Sequence, residues 1–289
     1  MIKKPNKIKE AKIGGKGMLR GLYNASTAMQ VESARLDTIA NNLANAQTVG
    51  YKKDKMVSQS FPEVLTARLK NDPNAQIKPY NIIGTINHGV HIDQVKTDWG
   101  QGPLQQTENP TDLALFGNGF FVVRTGQNAI QYTRDGSFAV DASGYLVDSN
   151  GNRVQAYDNA GFRDINVGGS DFTVDLSGNV YNVQNQYVGT MAVVDFYANN
   201  PATGQLEVVR DDALEKVGDN LYVVYDNQNY QPTPVATTIK QGYRETSNVD
   251  LNEEITNMME VYRHYESAQR IASMIDQTLD KTVNEVGKV

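Results

Sequence analysis

Apolar residues recur at helical spacing near the two ends of the chain and at strand spacing between them. From about Met18 to Ala46, Leu22, Met29, Leu36 and Leu43 recur every seven residues, with Leu19, Ala25, Ile39 and Ala40 beside them. That is the a/d-like comb of a helix packing along another helix, and no Gly or Pro interrupts it after Gly21. From about Asp250 to Glu285, the residues Leu251, Ile255, Met258, Tyr262, Tyr265, Ala268, Ala272, Ile275, Leu279 and Val283 keep steps of three or four, and Val286 continues the series. Asn248 or Asp250 can cap this helix, and Glu253 and Glu254 place negative charge in its first turn. At ~1.5 Å per residue each helix would be roughly 45 to 55 Å long. Burying ten or so apolar side chains yields about 15 to 30 kcal/mol, against about 1 to 2 kcal/mol per residue for fixing the backbone. A lone pair of such helices leaves part of each stripe uncovered, so the ends are expected to order within an assembly. The other reading is a helical hairpin closed within one molecule.

Between the ends the period changes. Thr48-Val49-Gly50-Tyr51-Lys52-Lys53 breaks the helix, with Gly50 placed for a turn. Phe61-Pro62-Glu63-Val64-Leu65 reads as a short helix start with Pro62 in its first turn, and Asn71-Asp72-Pro73-Asn74 as an exposed loop. From Ile82 to about Tyr243, β-type runs such as Phe120-Phe121-Val122-Val123, Tyr145-Leu146-Val147, Met191-Ala192-Val193-Val194 and Leu221-Tyr222-Val223-Val224 alternate with Gly and Asn turns, which makes a β domain. Inside it the pattern F-x-V-D-x-S-G occurs twice, at Phe138–Gly144 and Phe172–Gly178, each copy a strand entering a hairpin.

Composition narrows the function classes. A chain of 289 residues with 39% hydrophobic residues has room for one large or two modest domains in an elongated, well-solvated molecule. It has no cysteine, which excludes disulfides and thiolate metal sites. No run of about 18 apolar residues marks a membrane span, and the N-terminus lacks the apolar core of a cleaved signal. Residues 1–17 carry six lysines against the single acid Glu10, so the remainder holds −11 of an overall charge of −6. The tail reads as a basic, flexible end, and the acidic remainder disfavours a nucleic-acid partner.

Candidate chemistry is sparse. His88 and His91 are the best metal pair, but Gly84 and Gly89 oppose a helix there, and on a strand an offset of three puts the rings on opposite faces. Asp148-Ser149-Asn150-Gly151-Asn152 resembles the start of a calcium loop, yet Arg153 and Asn159 stand where its glycine and bidentate glutamate belong, so a hairpin turn is the better reading. Gly117-Asn118-Gly119 lacks the third glycine and following helix of a dinucleotide site. The remaining histidine, His264, lies on the C-terminal helix beside Tyr262 and Tyr265, and no serine sits in a nucleophile elbow. A carboxylate pair such as Asp135 and Asp141, acting on a glycosidic bond, is left open against the reading of turn and surface acids.

Met18-Leu19-Arg20-Gly21-Leu22-Tyr23-Asn24-Ala25, then Asn41-Asn42-Leu43-Ala44-Asn45-Ala46 and Thr48-Val49-Gly50-Tyr51-Lys52, resemble the N-terminal signature of flagellar rod and hook proteins. Ser247-Asn248-Val249-Asp250-Leu251 with Glu254, Met258-Met259, Tyr262-Arg263 and Tyr265-Glu266 resembles the terminal motif at the family's other end. Thr107–Ala114, Gly119–Val123 and Tyr132–Phe138 resemble its β-domain entry. The likeness is greatest to the distal-rod type and its Gram-positive relatives. It implies an α+β fold in which long N- and C-terminal helices pair as a coiled coil and carry a central, mainly antiparallel β domain facing outward. The expected division is a tail at 1–17, the N-terminal helix at 18–46, an irregular connection at 47–81, the β-rich outer domain at 82–245 and the C-terminal helix at 246–289.

The resemblance also implies a non-enzymatic structural subunit without cofactors, stacking helically with copies of itself and with other rod and hook proteins into a hollow, torque-transmitting shaft of the basal body. Export would use the flagellar type III apparatus, carrying the subunit outside the cytoplasmic membrane. Family members usually begin near Met18, so the preceding tail is expected to reflect a misassigned start; the alternative is a real extension whose six lysines contact acidic neighbours in the assembly. In this frame Leu22, Met29, Leu36 and Leu43 face the paired helix, while Asn41, Asn42 and Asn45 bridge to neighbouring backbones by amide hydrogen bonds. Gly50 and Tyr51 turn the chain, and Leu251, Ile255, Met258, Met259, Tyr262, Tyr265, Ile275 and Leu279 complete the assembly interface. A proximal-rod or hook subunit is the nearest alternative. A secreted glycan-binding module or glycan-cleaving enzyme is the alternative of another class.

Overall fold

The computed structural model describes residues 7–67, 82–126, 129–158, 161–169, 171–199, 206–225 and 231–286, so the expected Asn71–Asn74 loop lies outside the described residues. The chain divides into two compact units: one of residues 1–41, 54–96 and 252–289, the other of residues 42–53 and 97–251. The first holds most of helices α1 (Lys7–Ala44) and α3 (Leu251–Val286) together with a β-ribbon. The second is β-rich and includes the short helix α2 (Arg210–Ala213). Helix α1 therefore starts upstream of the expected Met18.

The expectation of long helices paired as a coiled coil is corrected by the structure. It has one N-terminal helix, one C-terminal helix and a large antiparallel β domain, without a long paired seam among the described residues. A coiled-coil seam buries large knobs at every a and d position. Here Leu22, Met29, Leu36 and Leu43 are only partly covered, and Leu251, Ile255, Met259 and Tyr262 are exposed. Among the described side chains of these two helices, those buried are Ala25, Val31, Ile39 and Asn42 on α1 and Glu254, Val261 and Ala268 on α3. Several are too small or too polar to fill four-residue holes. The two helices do touch, at points such as Gly21, where a Cβ would lie 3.0 Å from Ile275 Cδ1, and at Glu32, whose Oε1 is 4.0 Å from His264 Nδ1.

In the same unit Asp54–Ser60 pairs with Val90–Thr97, and Val64–Ala67 with Ile82–Ile86. The helix start expected at Phe61–Leu65 is therefore a break between two strands. Pro62 pushes Phe61 into an extended conformation, Phe61 N donates to Gly89 O at 3.1 Å, and the Phe61 ring lies 4.8 Å from that of His91.

The β-rich unit is built on a 14-stranded sheet whose registered pairs are all antiparallel. Its central strand, Phe120–Arg124, pairs with Ile130–Thr133, Arg153–Asp158 and Val193–Asn199. Alternate residues of a strand face opposite sides, and here both sides are covered. Phe121 and Val123 enter a cluster with Leu113, Phe138, Leu146 and Phe172, whereas Phe120 and Val122 enter another with Tyr132, Phe196 and Tyr222. That explains the unbroken apolar run in the sequence.

The repeated F-x-V-D-x-S-G is half of a longer duplication. Residues 138–152 and 172–186 each contain two successive turns, headed by Asp141 and Asp148 in the first copy and by Asp175 and Asn182 in the second. In all four the side-chain Oδ1 accepts the backbone N–H groups two and four residues on, at 2.8 to 3.0 Å. The fourth residue has positive φ each time, at Gly144, Gly151, Gly178 and Asn185. The Asp148 run is thus a turn whose carboxylate is engaged by its own backbone.

A Cβ added to Gly136 would sit 1.6 Å from Leu113 O, in a backbone contact that no rotamer can relieve. Gly136→Ala is expected to cost ~4 kcal/mol or more and to remove the cooperative transition of the β-rich unit. Urea unfolding followed through the single tryptophan measures this, since the Trp99 ring packs 5.4 Å from Phe120 and 5.2 Å from Tyr222.

Candidate assembly interface

The residues singled out from the sequence fall into two groups with different work. Asn42, Gly50 and Tyr51 lie inside the β-rich unit and are buried. The Tyr51 hydroxyl donates to Asn42 Oδ1 at 3.2 Å. Gly50 has φ +69, and a Cβ there would lie 2.5 Å from Asp135 N, so the tight turn read from the sequence needs this residue type. Asn45 shares a hydrogen bond with Thr48 Oγ1, which donates to its Oδ1 at 3.2 Å.

These residues introduce a buried polar cluster. Glu245, in strand Tyr243–Glu245, is 1% exposed. Its Oε1 accepts from Lys52 Nζ at 2.5 Å and from Gly102 N at 2.9 Å, and its Oε2 accepts from Arg134 Nε at 2.7 Å. Its backbone O takes the N–H of Gly50 at 2.8 Å. Lys52 Nζ also donates to Gly100 O at 2.8 Å, and the other Arg134 nitrogens donate to Gly117 O and Gly119 O. Burial pushes the Lys52 ammonium below its ordinary range, against the opposing pull of Glu245. Next to this cluster Asn248 accepts from Lys53 N at 2.8 Å and donates to Asp98 O at 2.8 Å. Sequence reasoning gave Glu245 and Arg134 no role: each stands beside an opposite charge in the chain, Arg244 or Asp135, so nothing local marked the pair they form.

The second group lies on the helices. Leu22, Met29, Leu36 and Leu43 on α1, and Met258, Tyr265, Ile275 and Leu279 on α3, are partly buried. Asn41 is exposed. Leu251, at the start of α3, and Ile255, Met259 and Tyr262 share one face at steps of four, four and three and are 43% to 54% exposed. Large apolar side chains grouped this way on a helix mark a surface to be covered.

Other candidate chemistry is placed as follows. Asp135 Oδ1 accepts from Ser137 N at 2.9 Å, and Asp141 Oδ1 from Ser143 N at 2.8 Å, each within its own turn. Among the described residues no group of three or more His, Asp or Glu side chains could hold a metal ion. None of the described helices is long and apolar enough to cross a membrane.

Residues 22–52 match the profile described as flagella basal body rod protein, 114–188 that of the flagellar hook protein FlgE/F/G D1 domain, and 240–285 that of the flagellar basal body rod FlgEFG protein C-terminal region. The flagellar hook-basal body complex protein FlhO of Bacillus subtilis is 32% identical, covering 94% of this chain and 100% of its own. The flagellar basal-body rod protein FlgG of the same organism is 31% identical over 92% of this chain and 99% of its own. FlgG of Buchnera aphidicola subsp. Acyrthosiphon pisum is 29% identical over 91% and 98%.

The chain belongs to the flagellar basal-body rod protein family. Within it the chain is FlgG-like, a structural subunit of the basal body, and the rod family is not an enzyme class. The two rod-family segments at the ends, 22–52 and 240–285, contain Lys52 and Glu245 respectively. The family signatures are thus joined by a buried ion pair.

Breaking a buried pair from one side leaves the other charge uncompensated, at about 3 to 5 kcal/mol. Glu245→Ala is expected to lower the stability of the β-rich unit by about that amount in urea titration.

Burial also holds the Asp135 carboxyl above its ordinary value of 3.8, so the folded state keeps this proton longer than the unfolded chain does. Stability contributed by this group therefore falls as pH rises from 3.8 through the folded value, and the loss is complete above it. Asp135→Asn is expected to be more stable than the parent at neutral pH, with the difference closing below pH 3.8 in a series of urea curves.

Proposed function

We propose that the subunit builds the rod through its helices, with Leu251, Ile255, Met259 and Tyr262 as the face that adjoining subunits cover, and Leu22, Met29, Leu36, Leu43, Met258, Tyr265, Ile275 and Leu279 setting the packing around it. The neighbours are copies of this chain and other rod and hook proteins, stacked helically into a hollow, torque-transmitting shaft. The observation that carries this reading is the exposed apolar face of α3 on a chain of the rod family. A distal-rod position fits the likeness to FlgG proteins. Passage through the flagellar type III export apparatus and a role without catalysis complete the proposal.

The division of labour between helices and polar cluster determines the test. Removing residues 18–46 would also remove Asn42, which belongs to the β-rich unit and holds Tyr51. Point substitutions on α3 are cleaner. Ile255→Ser/Met259→Ser in the full chain is expected to weaken subunit addition roughly 30-fold, the equivalent of about 2 kcal/mol at interface anchors. Electron microscopy of isolated hook-basal bodies should then show truncated rods, while the Trp99 unfolding curve stays unchanged. Normal rods built from this variant would refute the proposal.

A further inference from the structure

Within the β-rich unit, a cavity of about 260 Å³ opens beside strands Tyr187–Met191 and Val193–Asn199 and the Pro234–Ile239 segment. We propose that it binds one acetamido-sugar ring of a glycan. No described residue lining it is charged. An ion entering it would lose water without gaining a counter-charge, so the ligand is neutral.

The lining fixes the chemistry further. Thr190 Oγ1 donates its hydrogen to Asn179 Oδ1 at 2.7 Å, and Thr237 Oγ1 donates to Asn118 O at 2.5 Å. With its hydrogen committed, Thr190 Oγ1 accepts the Tyr187 hydroxyl at 2.8 Å, which leaves one lone pair on Thr190 Oγ1 and those of Thr237 Oγ1 as acceptors in the lining, to which Ser177 adds a hydroxyl. The ligand must therefore supply O–H or N–H donors. Val193 and Val235 form an aliphatic wall suited to a methyl group. Tyr157, 46% exposed, presents an aromatic ring braced edge-on by Phe162 at 5.8 Å, a platform for the C–H face of a pyranose. The volume falls just below the ~300 to 1,000 Å³ of pockets for drug-sized molecules. That is room for a single ring. A 2-acetamido sugar combines hydroxyl and amide donors, a methyl group and an apolar face, and an unsubstituted hexose lacks the methyl and the amide.

The test titrates the full chain with N,N′-diacetylchitobiose, followed by saturation-transfer NMR and calorimetry, with cellobiose as the control disaccharide. Diacetylchitobiose should saturate one site, and cellobiose should bind at least about tenfold more weakly. Tyr157→Ala should weaken binding about tenfold by removing the platform, and Tyr157→Phe should retain it. Ala236→Trp, at an exposed position in the cavity lining, should block binding while the urea unfolding midpoint, followed by far-UV circular dichroism, stays unchanged. The Ile255→Ser/Met259→Ser chain should bind as the parent does, which separates this site from rod building. Absence of saturable binding overturns the proposal, as does equal affinity for cellobiose or binding that survives Ala236→Trp. Loss of rod assembly in Ala236→Trp without any sugar binding would also overturn it, and would assign the cavity to a side chain of a second copy.

Discussion

The β-rich unit depends on the carboxylate of Glu245. A buried anion is tolerated only when cations and N–H groups surround it, and here those groups come from three places in the chain: Lys52, Gly102 and Arg134. None of these segments can satisfy the charge alone. The N-terminal segment after α1 and the C-terminal strand before α3 are therefore held in the same small volume. The surrounding bonds of Gly50, Lys53 and Asn248 with Glu245, Asn248 and Asp98 repeat the same closure through neutral groups. Because this closure is internal, the residues that make it do not compete with those that face outward on the helices.

Much of the fold was legible in the sequence because local rules and tertiary packing agree there. The Phe120–Val123 run is apolar without alternation, and its strand is buried on both faces. Gly50 was readable as a turn because positive φ and close backbone approach demand the same residue. The helical ends were readable from their period, but their phase was not. Leu251, Ile255 and Tyr262 keep the spacing of a seam and lie outside it, whereas Glu254, Val261 and Ala268 are covered. Periodicity counts apolar residues and cannot tell a stripe that meets its own chain from one awaiting another. The strand Asp54–Ser60 was hidden for a different reason: it has no aromatic residue and is rich in polar ones, and only its partner Val90–Thr97, within the stretch read as β, makes it a strand.

The candidate site was legible in outline and obscure in its centre. Asn42 was read as a bridge to neighbouring backbones, and the periodicity that placed it on the helix gave no sign that its Oδ1 accepts the Tyr51 hydroxyl within the β-rich unit. Lys52 stood in a recognisable motif without an evident role, since its partner lies 193 residues away. The duplicated turns show the same limit at shorter range. Asp141 and Asp175 announced two of them, but Asn182 and Asn185 replace the Asp and Gly that flag the other copy, and their equivalence is visible only in the bonds they make.

Those four turns have a bearing on how the rod family can vary. Each is pinned by one Asp or Asn oxygen and one residue of positive φ, and the positions just after the pinning residue, Ala142, Ser149, Leu176 and Val183, contribute no side-chain atom to that lattice of bonds. Mutation can drift there freely in polarity and size while the loops keep their shape. A lineage can thus restyle these loops without renegotiating the scaffold that carries them.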